Sequence, residues 1–369
     1  MITLKPILGA AVTAGALLLA AAPARAQIPD SVLAVSYGGQ SLFRVNVNGG
    51  IVATGTYLGD ASTGIPAEGS GTRLLWYPGK GAFRAGGING TQWDDANIGL
   101  YSTAFGESTR ALGNNSFAVG ARATSANVGT IAMGEDVTAT GANSVVMGYK
   151  ASTSTGAGSP RTGSFVFGDR STTTDTVHAE VTNSATWRVA NGFRIYTAAN
   201  LSSGVTFQNG SATSNWGQSS AVISTSTGAY LSTSGVWTNT SDVNRKHLFA
   251  AVSGEDVLAR LRALPITSWS YRVDDDGIRH LGPTAQDFRA AFGLGQDEVT
   301  IATVDADGVA LAAAQALEAR TASQEERIEA LEARNAALEQ ENARLAREAA
   351  ETRARLERLE ALVSGTPRP

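Results

Sequence analysis

Ser241 and Lys246 are the residues of this chain whose types and spacing most directly suggest chemistry. They bracket the run Ser241-Asp242-Val243-Asn244-Arg245-Lys246, where a Ser/Thr/Gly-rich region gives way to a charged, helical one. A lysine that has shed its proton can take the hydroxyl proton of a serine, whose oxygen then attacks an acyl carbon. Shedding it near neutral pH requires burial or a neighbouring positive charge, and Arg245 is adjacent in sequence. The spacing alone is a short motif, since a helix N-cap followed by a solvated lysine reads the same. The histidines are His178, His247 and His280, so a Ser–His–Asp arrangement using His280 and Asp287 is the competing constellation. No His/Cys/Asp/Glu group has metal-ligand spacing, and neither a metal nor another cofactor is expected. Asp274-Asp275-Asp276-Gly277 and Asp305-Ala306-Asp307-Gly308 lack the distal glutamate of a calcium loop and read as Asp-Gly turns between strands.

Further motifs follow in a fixed order: Val257-Leu258-Ala259-Arg260-Leu261, Trp269-Ser270-Tyr271, and Arg279-His280-Leu281-Gly282-Pro283-Thr284-Ala285-Gln286-Asp287. The set S-D-x-x-x-K, W-x-Y, H-x-G-x-x-A-Q resembles the intramolecular chaperone domain at the C-terminus of endosialidase tail spikes and related phage tail fibres. The resemblance covers about residues 241–330. It implies a self-cleaving serine peptidase that helps a trimeric fibre to fold and is then cut off. Carried onto this sequence, it makes Ser241 the nucleophile and Lys246 the general base, with the cut beside Ser241, at Ser241–Asp242. His280 falls at the family's H-x-G position. It and Gln286 are expected to be structural or orienting residues, His280 as a buried ring bonded to backbone; His247 is incidental. Ring size leaves the bond open. A serine reaches the carbonyl of its own residue only through a four-membered ring, whereas attack on the Thr240 carbonyl gives an N→O acyl shift, and a serine from a neighbouring subunit reaches either bond.

These residues must be positioned by what flanks them. Downstream, one heptad register places Ile328, Asn335, Asn342, Ala349, Leu356 and Val363 at a, and Leu331, Leu338, Leu345, Thr352 and Leu359 at d. The flanking pairs Arg327–Glu332, Arg334–Glu339, Glu348–Arg353 and Arg355–Glu360 are opposite in sign, and Glu341–Ala346 is the exception. Exposed pairs contribute little individually, but these all favour a parallel, in-register homo-oligomer.

Upstream, Gly106, Gly120, Gly134 and Gly148 recur every 14 residues, and Gly168 follows after 20. Each ends a similar pentad, from Ser102-Thr103-Ala104-Phe105-Gly106 to Ser164-Phe165-Val166-Phe167-Gly168. Alternation gives each short strand two unlike faces, and units that cannot bury a core singly do so when stacked. The pattern resembles the head repeats of trimeric autotransporter adhesins, which implies a left-handed β-roll with three chains side by side. No acidic pair or histidine recurs at a fixed phase, so the repeats read as structure.

Residues 27–100 alternate like strands and contain Trp76-Tyr77 and Trp93-Asp94-Asp95. This aromatic and acidic cluster fits either a sugar site or a cap on the first turn of the roll, which repeat folds need. Adjacent Asp94 and Asp95 would point to opposite faces of a strand and make a poor glycosidase pair. Residues 175–240 read as a β-rich neck.

Residues 1–26 carry Lys5, an apolar run from Ile7 to Ala22 and Ala24-Arg25-Ala26, the pattern of a cleaved export signal. No other segment is long and apolar enough to span a bilayer as a helix. The net charge of −4 argues against a nucleic-acid partner, and with no cysteine the chain has no disulfides.

The expected organisation is a signal at 1–26, a β-rich cap region at 27–100, a β-roll head at 101–174, a neck at 175–240, an α+β chaperone and peptidase domain at 241–316, a parallel coiled coil at 317–364 and a tail at 365–369. The fold class is mainly β, with stacked β-roll repeats forming a trimer, then α+β, then coil. The reading is a homotrimeric, fibre-like protein, secreted or on a bacterial surface, with a glycan or other cell-surface ligand as the outside partner class. Two alternatives stand beside it: an adhesin whose C-terminal trimerisation domain stays attached, and a glycan-degrading enzyme with a site in 27–100.

Overall fold

The computed structural model describes residues 31–62, 64–211 and 216–365. The export signal expected at 1–26 lies outside them. The chain divides into two units, residues 1–238 and 239–369.

The first unit is built of sheets. Strands β1 (Ser31–Tyr37), β2 (Gln40–Asn46) and β3 (Ile51–Ala53) form an antiparallel meander. A hairpin of β4 (Gly71–Tyr77) and β5 (Ala82–Ile88) then opens an 11-stranded sheet. Parallel rungs follow from β6 (Thr103–Glu107) with β7 (Arg110–Ala111), and from β8 (Phe117–Ala121) with β9 (Thr124–Ser125). Next come β10 (Ile131–Ala139), β11 (Val145–Ser152), β12 (Phe165–Gly168) with β13 (Val177–His178), and β14 (Ala185–Arg188). The register stacks Gly86, Gly106, Gly120, Gly134, Gly148 and Gly168 one above another, with Arg188 last. The ladder therefore runs one rung beyond the pentads at each end.

The glycine column exists because backbones touch there. A Cβ built on Gly134 would lie 1.9 Å from the carbonyl oxygen of Gly148, and Gly134 holds φ at +139°, which only glycine adopts readily. The hydroxyls that open the first and third pentads have a local task. Ser102 Oγ donates to the Gly99 carbonyl and Thr130 Oγ1 to that of Asn127, both at 2.6 Å, closing the turn between rungs.

Alternation along the strands sorts the two faces. Ala104, Ala118, Ala132, Val146 and Val166 are buried inside the roll. Their larger neighbours Phe117, Ile131, Val145, Phe165, Met133, Met147 and Phe167 stand on the outer face, half-buried. From Ala104 to Val166 the inward positions of these strands therefore hold nothing larger than valine. At its first rung Arg84 takes the inward position and is fully buried. Its guanidinium donates to the carbonyls of Phe83, Ser102 and Ala111, and burial pushes its pKa down to about 10.

The cluster at 93–95 is tied to the β4–β5 hairpin and the first rung. Trp93 is fully buried and its indole N–H donates to the Thr109 carbonyl at 2.8 Å. Asp95 accepts from the Tyr77 hydroxyl and pairs with Lys80 at 3.2 Å, while Asp94 accepts from the Gly69 N–H. With its face covered, Trp93 offers no platform for a sugar ring. The unit closes with an antiparallel meander, β15 (Phe193–Tyr196), β16 (Gly204–Phe207), β17 (Ala221–Thr225), β18 (Tyr230–Ser232) and β19 (Trp237–Thr238).

The second unit is helical around one small hairpin. It holds α1 (Gly254–Ala263), β20 (Thr267–Trp269), β21 (His280–Gly282), α2 (Ala285–Phe292) and α3 (Thr303–Ser364). Ser253 caps α1 and Thr284 caps α2, each accepting from an N–H three residues on, and left-handed Gly293 ends α2. Val257, Leu258, Leu264, Phe288, Val309, Ala313 and Ala316 form its core. The first Asp-Gly motif is the expected turn, between β20 and β21. The second is not: Asp305-Ala306-Asp307-Gly308 lies in the opening turns of α3. Acidic residues suit a helix N-terminus, and the alanines that follow carry the helix past Gly308.

Beyond its core contacts, α3 runs on as a single helix. Its d-position leucines Leu331, Leu338 and Leu345 are 49, 51 and 48 % exposed. An apolar seam is thus bared along the length of the helix. Among the described residues, no helix is long and apolar enough to cross a membrane.

Candidate active site and its supporting hairpin

Ser241 and Lys246 are brought together by one tight turn. Asp242 precedes a 3₁₀ turn at Val243–Arg245, and its carboxylate accepts from the Asn244 N–H at 2.9 Å. The N–H of Lys246 donates to the Val243 carbonyl at 3.1 Å. The lysine side chain then folds back, and its Nζ donates to Ser241 Oγ at 2.6 Å. Reversal of that one proton's direction, in which a neutral amine accepts from the hydroxyl, is what a nucleophilic serine requires.

Both side chains are exposed, as is every residue from 239 to 253. Activation of a serine by a lysine requires burial or a neighbouring positive charge, and in the single chain neither side chain is covered. Adjoining it, Val243, Leu248, Phe249 and Val252 present apolar side chains to solvent.

His280 and Gln286 lie on other elements. In the β20–β21 ladder Trp269 stands opposite His280. The His280 ring lies 4.8 Å from Trp269 and 5.4 Å from Tyr271, and its Nε2 is 3.7 Å from Asp274 Oδ2. This corrects the expectation of a buried histidine bonded to backbone: the ring is part-exposed and packed among aromatic rings. The W-x-Y and H-x-G motifs are therefore two halves of one hairpin, and Asp274 in its turn was not singled out from sequence. Gln286 is exposed in the first turn of α2. Asp287, the third member of the competing constellation, accepts from the Thr284 hydroxyl at 2.7 Å as part of the helix cap. His280 and Asp287 thus have separate local tasks. Among the described residues no group of His, Cys, Asp and Glu has the geometry of a metal site.

The sequence signal for Asp242 and Asn244 was readable in hindsight. An Asp followed two residues on by a backbone donor is the Asx turn, and it sets the spacing that lets residue 246 return to residue 241.

Residues 241–297 match the family described as chaperone of endosialidase, peptidase S74. Residues 98–123 match two copies of the YadA head domain repeat. No curated protein and no solved structure matches the chain. The first match begins at Ser241 and takes in the turn at 241–246, the aromatic hairpin and α2, while the second falls on the first rungs of the parallel ladder. The chain thus carries a C-terminal peptidase S74 chaperone-of-endosialidase domain together with YadA head repeats.

Proposed function

We propose that this chain is an exported, homotrimeric fibre or adhesin-like protein whose C-terminal chaperone drives assembly and then cuts itself off beside Ser241. The observation that carries the reading is the 2.6 Å contact between Lys246 Nζ and Ser241 Oγ, at the start of a domain whose family is typically self-cleaving.

In the proposed step, neutral Lys246 takes the Ser241 proton as Oγ bonds to a peptide carbonyl carbon. The C–N bond breaks, the lysine returns its proton to the leaving amine, and water hydrolyses the resulting ester. Covering of the exposed pair by neighbouring copies favours the neutral amine, so assembly precedes cutting. Three further features support the trimer. The seam of α3 is bare in one chain, the outer face of the roll carries half-buried Phe, Val, Ile and Met, and domains of this family act in trimers.

Self-removal has a physical rationale. Interchain β-structure forms slowly through non-local contacts, and a coil that sets register first shortens the search. Cutting then removes the route back, leaving a kinetically trapped fibre. The export signal expected at 1–26 and the head repeats together favour a place outside the cell, with a glycan or other surface ligand as partner class.

Intact mass of the chain from residue 27, beside Ser241→Ala and Lys246→Ala, tests this. Two wild-type fragments meeting at Ser241 and one uncut species from each variant are expected, and the fragment ends identify whether Thr240–Ser241 or Ser241–Asp242 is cut. An uncut wild-type trimer would overturn the peptidase reading and leave a permanent trimerisation domain.

A further inference from the structure

We propose that Leu248 and Phe249 of one copy seat in the groove between α1, α2 and α3 of a second copy of this chain, an inference that rests on the homotrimer proposed above. The groove holds about 540 Å³, and its apolar walls are Val257, Phe292, Leu294, Val304 and Val309. The same chain does not fill it with this segment: Leu248 is 88 % exposed and Phe249 71 % exposed.

The backbone of the segment points the same way. Leu248 holds φ at +57°, a left-handed conformation that bulky L-residues rarely adopt. Such a conformation persists when surrounding structure fixes it. An exposed leucine in a solvated stretch has no such surroundings within its own chain. Apolar side chains presented on a strained backbone, two residues beyond Lys246, are shaped to enter something.

A second copy is the occupant because of α3. Val304 and Val309 line the groove, and the same helix bares its heptad seam from Ile328 onward. Helices joined in register along that seam bring each groove level with the 247–252 segments of its neighbours. Val252 stands on the lip of the groove, so the segment already approaches it from outside. Seating Leu248 on a neighbour would also anchor the turn that holds Ser241 and Lys246, which ties the covering of the dyad to assembly.

The chain has no native cysteine, so an engineered pair reports without background. The uncut Ser241→Ala chain carrying Phe249→Cys and Leu294→Cys is oxidised under native conditions and resolved under denaturing, non-reducing ones. Native mass is measured in parallel, and Leu248→Cys with Val304→Cys serves as a second pair. Covalent dimers and trimers that require both cysteines of a pair are the expected result. An intact native trimer whose pairs close within one chain, or do not close at all, overturns the docking while leaving the trimer standing. A monomeric native mass overturns both.

Discussion

Arg188 stands opposite Gly168 in the last two rungs of the roll, and its guanidinium folds back over that glycine to donate to the carbonyls of Asp169 and Tyr149 at 2.6 and 2.9 Å. Every earlier position of the column is glycine, because another backbone lies on top of it. No rung covers β14 in this sheet, so a long side chain fits where glycine was obligatory. It satisfies carbonyls of the two rungs beneath it, that of Tyr149 in β11 and that of Asp169 just after β12. Arg84 at the first rung and Arg188 at the last thus do the same work: each ends a stack of small residues with a cation bonded to backbone oxygens.

Asp169 makes that end pH-sensitive. Burial alone raises its carboxyl pKa, but the donors from Ser171, the Ala190 N–H and Arg188 outweigh it and hold the group at about 2. A carboxyl depressed below its unfolded value stabilises the fold fully above about pH 4. That contribution is lost as pH falls through about 2. Asp169→Asn is expected to lower the melting temperature of the head at pH 7, by about 2–4 °C for each kcal/mol lost. The gap from wild type should close as pH approaches 2. A gap that stays constant across this range would place the loss in packing rather than in the carboxylate charge.

The glycine column gives a sharper test. Gly134→Ala puts a Cβ 1.9 Å from the Gly148 oxygen at a φ of +139°, and the neighbouring atom is backbone that cannot turn aside. Overpacking of this kind should destabilise the head by about 3 kcal/mol. Gly156 lies in the insertion between rungs, with nothing within 4 Å of its Cβ position, and Gly156→Ala should leave stability within about 0.5 kcal/mol of wild type. Thermal unfolding of the two variants side by side decides it. Equal melting temperatures would mean that the column is not close-packed.

How much of this was legible depended on sequence distance. The Ser241–Lys246 contact spans one turn, so a pattern of six residues contained it. The repeat was legible because a stacked fold writes its register as a period. The ends of the stack were not, because there the period lengthens to 20 residues and arginine replaces a small residue, at 84 among alanines and at 188 among glycines. Alternation along the pentads showed two faces without saying which was inside; in the fold the Ala and Val positions are the buried ones. Asp305-Ala306-Asp307-Gly308 misled because a local turn signal was read against a helix whose stability comes from Val309, Ala313 and Ala316 packing on α1 and α2. The partners of His280 depended on a cross-strand register that the motif alone does not state.

The coil supplies the last prediction, and it separates assembly from chemistry. Leu338 is a d residue near the middle of the bare seam and lies far along α3 from the core at Val309 to Ala316. Leu338→Asp leaves that core untouched while placing one charge per chain in the buried seam, where unpaired charges are strongly disfavoured. The variant should fold as a single chain and fail to form the trimer, read as a fall in native mass. With the dyad left exposed, the cut at Ser241 should be lost with it, although Ser241 and Lys246 are unaltered. Arg344 is the control: it bonds to Glu341 and Glu348 on the surface of the same helix, and such exposed pairs contribute little. Arg344→Gln should keep both the trimer and the cut. A Leu338→Asp chain that is monomeric yet still cuts itself would show that the turn at 241–246 is sufficient by itself, and that covering by neighbours plays no part in freeing the lysine of its proton.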